Sequence, residues 1–325
     1  MSDSTHISNQ SRGSFHEYFL NWGKAWNQFW FTRRAPDVLG IIRIMTGSIV
    51  FYTHLTWTKE LSTFMAADGL LPGEYRKLLF GNSFAWSHLD WFDTIGLLGP
   101  VHLAGLAIVV LFGLGLWTRW TGILTAMLVI SYANRGTGAL FGLDQINAFL
   151  CLYLALGNAG AAWSIDAWRA KRNKSAESPT GQGRGSQNQP TVLNNIATRL
   201  IQIHLCLVYA FAAIGKLQGE TWYTGEAIWL AFASYEYQTL DMTWTAHHMW
   251  LVALITLISL IWELVYPALI WPRLTRPLVL ALAIPVHIGI GLCMGMLPFG
   301  LIMITANLAF IEPSSLKTWL AQRGE

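Results

Sequence analysis

Lys216 stands at the end of a long apolar run, in FAAIGKLQGETWYTG from Phe211 to Gly225. A single amine in that place has two readings. It is the last residue of a membrane helix, snorkelling to water along its aliphatic stem, or it is a base held out of water by the aromatic stretch Glu220 to Tyr223 that follows. Other polar side chains within apolar stretches are Arg43, His54, Asp144, Asn147, His204, Tyr209, Glu263, His287 and Asn307. Each is a functional candidate, because a charged group at membrane depth costs about 2.5–3.5 kcal/mol on insertion scales. Each also has a structural reading. Arg43 would reach the near surface by its stem, His204 would bond a neighbouring helix, and Glu263 would pair with a cation or satisfy the backbone freed by Pro267. His247 and His248 are adjacent and make only a weak metal signal, so no metal site is expected. Cys151, Cys206 and Cys293 lie far apart in apolar runs without CxxC spacing and read as packing residues.

The elements that must position these groups are membrane helices. Of the 325 residues, 53% are hydrophobic and only 12% charged, too few charges to solvate a water-soluble globule. Runs long enough to cross about 30 Å of hydrocarbon fall near 39–57, 101–118, 120–134, 143–163, 196–216, 248–270, 278–296 and 297–312. The expected fold class is therefore all-α, a polytopic bundle of about eight spans, seven to nine allowing for the short third and eighth. Lys and Arg concentrate in alternate loops, which places both termini in the cytoplasm and Lys216 on the opposite side. The polar start MSDSTHISNQS has no short apolar run and small-residue site after it, so no cleavable leader is expected.

Residues 1–38 read as a cytoplasmic N-terminus. There Phe15, Tyr18, Phe19, Trp22, Trp26, Phe29 and Trp30 share one face of an amphipathic interfacial helix. Residues 39–312 form the bundle, interrupted near 169–191 by a Ser-, Gly- and Lys/Arg-rich segment read as a disordered cytoplasmic linker. Residues 313–325 are a tail. The segments 58–100 and 217–247 are expected to cap the bundle from outside. The lipid bilayer is the expected partner; the dispersed basic residues exclude a nucleic-acid patch.

Tyr209, Ala212, Ala213, Gly215, Lys216, Leu217, Trp222 and Gly225, in that order, resemble a pattern of the vitamin K-dependent gamma-carboxylase family and its bacterial relatives with an HTTM domain. IRIMTG from Arg43, GLGLWTR at 113–119, WSID at 163–166, Glu263 in a late span and His287 before HIGIGLCMGMLPFG agree in order and spacing. The resemblance covers about residues 28–312. It implies that Lys216 deprotonates reduced vitamin K or a menaquinol-type quinol. The oxyanion would then react with O2, and the basic product would remove a gamma-proton from a glutamate whose carbanion takes up CO2. It further implies His287 as a hydrogen-bond partner or second proton carrier, and Tyr209, Trp222, Gly225 and Glu263 around the substrate.

Arg43, Asp144 and His204 are left as structural or relay residues. Two departures qualify the resemblance. Ala161 stands where the carboxylase has a histidine important for catalysis. The sequence ends at Glu325 without a large C-terminal domain, so gripping a protein substrate would call for a separate extracytoplasmic partner. Two other function classes stay open: a non-catalytic membrane scaffold or partner subunit, and a small-molecule transporter with a midplane site at His204, His287 and Glu263.

Overall fold

The computed structural model describes residues 4–81, 85–92, 95–176 and 189–322. The helices in chain order are α1 Ser4–Phe31, α2 Asp37–Met65, α3 Gly73–Phe80, α4 Ile95–Leu114, α5 Thr118–Arg135, α6 Gly142–Leu156 and α7 Ile165–Ala176. There follow α8 Val192–Lys216, α9 Glu220–Thr224, α10 Ala227–Ala233, α11 Met249–Leu269, α12 Arg276–Cys293, α13 Leu297–Asn307 and α14 Pro313–Gln322. Short 3-10 turns lie between several of them. Among the described residues there is no strand, only an isolated antiparallel bridge between Arg34 and Thr191.

Five helices are long and apolar enough to cross a membrane: Asp37–Met65, Gly96–Leu114, Val192–Lys216, Thr243–Leu269 and Arg276–Cys293. Gly142–Leu156 and Leu297–Phe310 are apolar but shorter. With 15 residues, α6 rises only about 22 Å, less than the hydrocarbon thickness. The sequence run 143–163 thus stops being helical at Leu156, where the chain turns extended at Gly157 before a 3-10 segment at Ala159–Ala161. Residues 169–176 of the expected linker continue α7, whereas 177–188 lie outside the described residues.

The packing is inside out for water. Phe211, Ile214, Leu257, Ile258, Ile261 and Leu264 are exposed on helices whose other faces are sealed. Only a bilayer satisfies such a surface, because it solvates the apolar side chains while each helix satisfies its own backbone. The chain is therefore membrane-embedded. The inner faces of α2, α4, α5, α6, α8, α11, α12 and α13 share one continuous core, and a smaller one forms around Leu61, Met65, Leu89, Leu98 and Tyr132.

Helix pairs follow short connections: α4 with α5, α5 with α6, α12 with α13, and across the bundle α2 with α4 and α8 with α11. Gly47 and Gly113 make the α2–α4 crossing close. A methyl group on Gly47 would lie 2.7 Å from the Gly113 Cα.

Three of the sequence motifs meet at the end of the bundle where α2 and α8 begin. The Arg43 guanidinium is fully buried and donates to the carbonyls of Ala159 (2.6 Å), Ala162 (3.3 Å), Trp163 and Gly113 (3.4 Å). Asp166 accepts from Trp117 N, Thr118 N and Thr118 Oγ1 at 3.0–3.1 Å, capping the start of α5. IRIMTG, GLGLWTR and WSID are thus one structural knot. Arg43 does not snorkel: a charge that satisfies carbonyls at the end of α4 and in the turn after α6 is better held there than in the interface.

Candidate functional site

Lys216 lies against a carboxylate. Its Nζ is 2.5 Å from both Oε1 and Oε2 of Glu263, with the lysine side chain 26% and the glutamate 8% exposed. Trp222 places its ring 4.7 Å from the same nitrogen. The position along the partner helix is informative. Glu263 is 14 residues into α11, so roughly the first 21 Å of α11 extend beyond the ion pair and beyond the end of α8, whose last residue is Lys216. The space above the end of α8 is taken by α9 and α10, which pack on the first half of α11.

Gly225 makes that roof possible. Its φ of +82° suits glycine, a Cβ there would lie 2.6 Å from that of Ala253, and its carbonyl accepts from Thr256 Oγ1 at 3.1 Å. Its contribution is to seat the roof on α11.

Seven residues, about two turns, back along α8 from Lys216 is Tyr209, on the same face. Tyr209 is buried, its hydroxyl 2.7 Å from His287 Nε2 on α12 and 3.0 Å from Asn307 Nδ2 on α13. Asn307 Oδ1 in turn accepts from the Tyr266 hydroxyl at 2.6 Å, and Tyr266 is three residues from Glu263 on α11. Trp262 packs edge-on to Tyr209, Tyr266 and His287. The four helices that carry the ion pair and the tyrosine–histidine–asparagine network are therefore held in one register. Tyr209 and His287 are enclosed, so Trp222 and Lys216 form the reachable side of the site and Tyr209 its floor.

The remaining candidates lie elsewhere. His204, on another face of α8, meets α6 through Tyr153 (3.1 Å) and Phe149 (ring centroids 3.8 Å), so it does not share a site with His287 and Glu263. Asp144 opens α6, where it accepts from Phe141 N at 3.3 Å. Ala161 belongs to the turn that Arg43 braces. Neighbouring Asn158 bonds Asn194 at the start of α8, 22 residues and about 33 Å along the helix from Lys216. A histidine at position 161 would not reach Lys216 in this fold.

Sequence reasoning missed Trp262 and Tyr266 as site residues, although both flank Glu263 in IWELVY. It also missed a second polar cluster at Ser87, His88, His102, Ser131, Tyr132 and Arg135. Arg135 there donates to Asp90 at 2.7 Å and to the Met65 carbonyl at 2.8 Å. Among the described residues no group of three or more His, Cys, Asp or Glu side chains converges to hold a metal ion. No protein-family model matches the chain, and no curated protein or solved structure matches it either.

Proposed function

We propose that the chain is an HTTM-type, carboxylase-like membrane protein that removes a proton from a lipophilic quinol of the vitamin K or menaquinol class. In this reading about eight segments cross a plasma (inner) membrane, with both termini cytoplasmic and the Lys216–Glu263 pair towards the extracytoplasmic side. The observation that carries it is a lysine–carboxylate pair under an aromatic roof, beside lipid-facing Phe211 and Ile214. A hydroxyl arriving from the bilayer would meet this pair without crossing water.

The pair acts as a unit. At rest its net charge is zero, whether the shared protons make it ammonium and carboxylate or amine and carboxylic acid. Taking a proton from a hydroxyl makes it ammonium and carboxylic acid, net +1, against the −1 left on the hydroxyl oxygen. From the first form Glu263 takes the proton and from the second Lys216 does, and in both the Lys216 ammonium is the counter-charge, which refines the lone-lysine reading. Tyr209, His287 and Asn307 hold α8, α12 and α13 so that the pair keeps its geometry. O2 and CO2 as co-substrates, gamma-carboxylation and a separate protein-binding partner rest on the family resemblance alone.

The test is oxygen-dependent conversion of reduced vitamin K, or of a menaquinol, to its epoxide by purified protein. The proposal expects turnover in the wild type and at least a hundredfold loss in Lys216→Ala and Glu263→Gln at matched folding, the low end for a proton-transfer group. A second reading has its own observation: the same ion pair ties α8 to α11, as a scaffold's helix lock would. No turnover by the wild type across a panel of quinols, with lower melting temperatures in both variants, selects the scaffold.

A further inference from the structure

Two arginines with no ion-pair partner among the described residues share a groove at the end of the bundle where α5 begins. Arg119, the second residue of α5, and Arg169 on α7 line a cavity of about 450 Å³ together with Trp117, Trp120, Asn158 and Asn173. Both arginines are exposed to whatever enters it. A cation in the first turn of a helix opposes the helix dipole, so Arg119 gains nothing from α5 itself.

Asp166 is the acidic residue in the lining, and both its oxygens are occupied: Oδ1 accepts from Trp117 N at 3.1 Å, and Oδ2 from Thr118 N and Oγ1 at 3.1 and 3.0 Å. It also lies within electrostatic reach of the buried Arg43. The same clamp sets the spacing of the two free cations, because it joins α7 three residues before Arg169 to the chain one and two residues before Arg119. A ligand meets both on a turn that is already ordered.

Next to the groove the surface is apolar. Trp120, Ile123, Leu124 and Met127 follow at helical spacing on α5 and are exposed, as is Leu156 at the end of α6, two residues before Asn158. This ridge runs about 10 Å along α5 into the bilayer, with Trp117 and Trp120 at its head, where indoles sit in the headgroup layer. A small anion alone matches the arginines and leaves the ridge unused. An acyl chain joined to a phosphate matches both.

We propose that this groove is a binding site for an anionic glycerophospholipid. Arg119 and Arg169 donate to its phosphate oxygens, Asn158 and Asn173 meet the polar part of the headgroup, and one acyl chain lies along α5 from Trp120 to Met127. The charge bias of the loops assigns this end of the bundle to the cytoplasmic leaflet, where anionic lipids attract Lys and Arg. A free phosphate shares the headgroup's chemistry but not the chain, and the experiment separates the two. The site shares no residue with the Lys216 pair and stands or falls independently of the quinol reading.

The probe is phosphatidylglycerol with a diazirine in one acyl chain, titrated into phosphatidylcholine nanodiscs that hold the purified full-length protein, photolysed and mapped by mass spectrometry. Adducts at 119–127 should exceed those at 254–264, a bilayer-facing stretch of α11, and should saturate. Arg119→Gln and Arg169→Gln, at an unchanged melting temperature, should each raise the half-saturating probe fraction about fivefold, the worth of one basic residue beside anionic lipid. Arg169→Lys, which keeps the charge, should lose less, and Arg172→Gln, whose guanidinium sits over the Trp168 ring, should leave the fraction unchanged. Ala170→Trp, which fills the groove with no change of charge, should remove the enrichment. Displacement of the probe by millimolar inorganic phosphate or glycerol phosphate would make this a site for soluble phosphate. Equal labelling by the same probe built on phosphatidylcholine would make it a plain hydrocarbon surface, and half-saturation that ignores both glutamine variants would make it a solvated face; each of these results overturns the inference.

Discussion

At Lys216 and Glu263 the two readings of a membrane-embedded lysine become separable. A snorkelling amine is worth little to the fold. A paired one leaves a buried carboxylate behind when it is removed, at about 3 kcal/mol, the low end for buried pairs because the lysine keeps a quarter of its exposure. Lys216→Met and Glu263→Gln should therefore each lower stability, while the double variant loses less than their sum, with a coupling of about 1–3 kcal/mol in a thermal or denaturant double-mutant cycle. Additive effects would return Lys216 to the snorkelling reading.

His88, outside the spans in the turn before α4, gives a pH prediction. Burial lowers its pKa below 6.5, an effect partly offset by Asp90. Its folded pKa is the lower one, so its contribution is intact above the unfolded value near 6.5 and is lost as pH falls towards the folded value. Stability should decline in that window by at most about 1.4 kcal/mol per pH unit, and His88→Asn should flatten the slope. An unchanged slope in the variant would assign the effect to other histidines.

Among the elements, α8 does the most. Its start is tied down by Thr191, whose hydroxyl caps Asn194 N at 3.2 Å, and by Asn195 and Arg199 reaching the carbonyls of Phe29 and Trp30 at the end of α1. Its end delivers Lys216. The α2–α4 crossing is the counterpart on the other side of the bundle, and it depends on having no side chain at Gly47. Gly47→Leu should cost about 1–3 kcal/mol through overpacking, and even Gly47→Ala should be measurable because the nearest atom is backbone. A melting temperature in detergent equal to wild type for the leucine variant would mean that the two helices slide apart at no cost.

For the whole molecule, the division of loops between two aqueous faces is the property to test. The segment 217–247, with α9 and α10, and helix α7 lie near opposite ends of α8. In a cysteine-free background, Glu236→Cys and Asn173→Cys should react with a membrane-impermeant maleimide from opposite sides of sealed vesicles. Labelling of both from one side would remove the orientation on which Lys216 faces outward. The natural Cys151 and Cys206 are buried and Cys293 partly so, which makes their replacement by alanine or serine a mild change.

The helical class and the membrane environment were legible from the amino-acid sequence, because both follow from local quantities: the length of apolar runs and the scarcity of charge. So was the aromatic character of the stretch after Lys216, whereas the turn at Gly115, where φ is +73°, falls inside a run read as spanning to 118. The partner of each buried polar group was not legible, since it depends on which helix faces which and at what height. Glu263 was a lone carboxylate near Pro267 until α11 was set against α8 with 14 residues to spare. Ala161 and Lys216 belonged to one chemistry until the fold put them at opposite ends of a 25-residue helix. His54, His102 and Tyr132 lie in three different helices, and no spacing along the chain brings them together. Composition decides the solvent a chain lives in through sums over residues, whereas a site is made by pair distances across the bundle, and those exist only once the helices have packed.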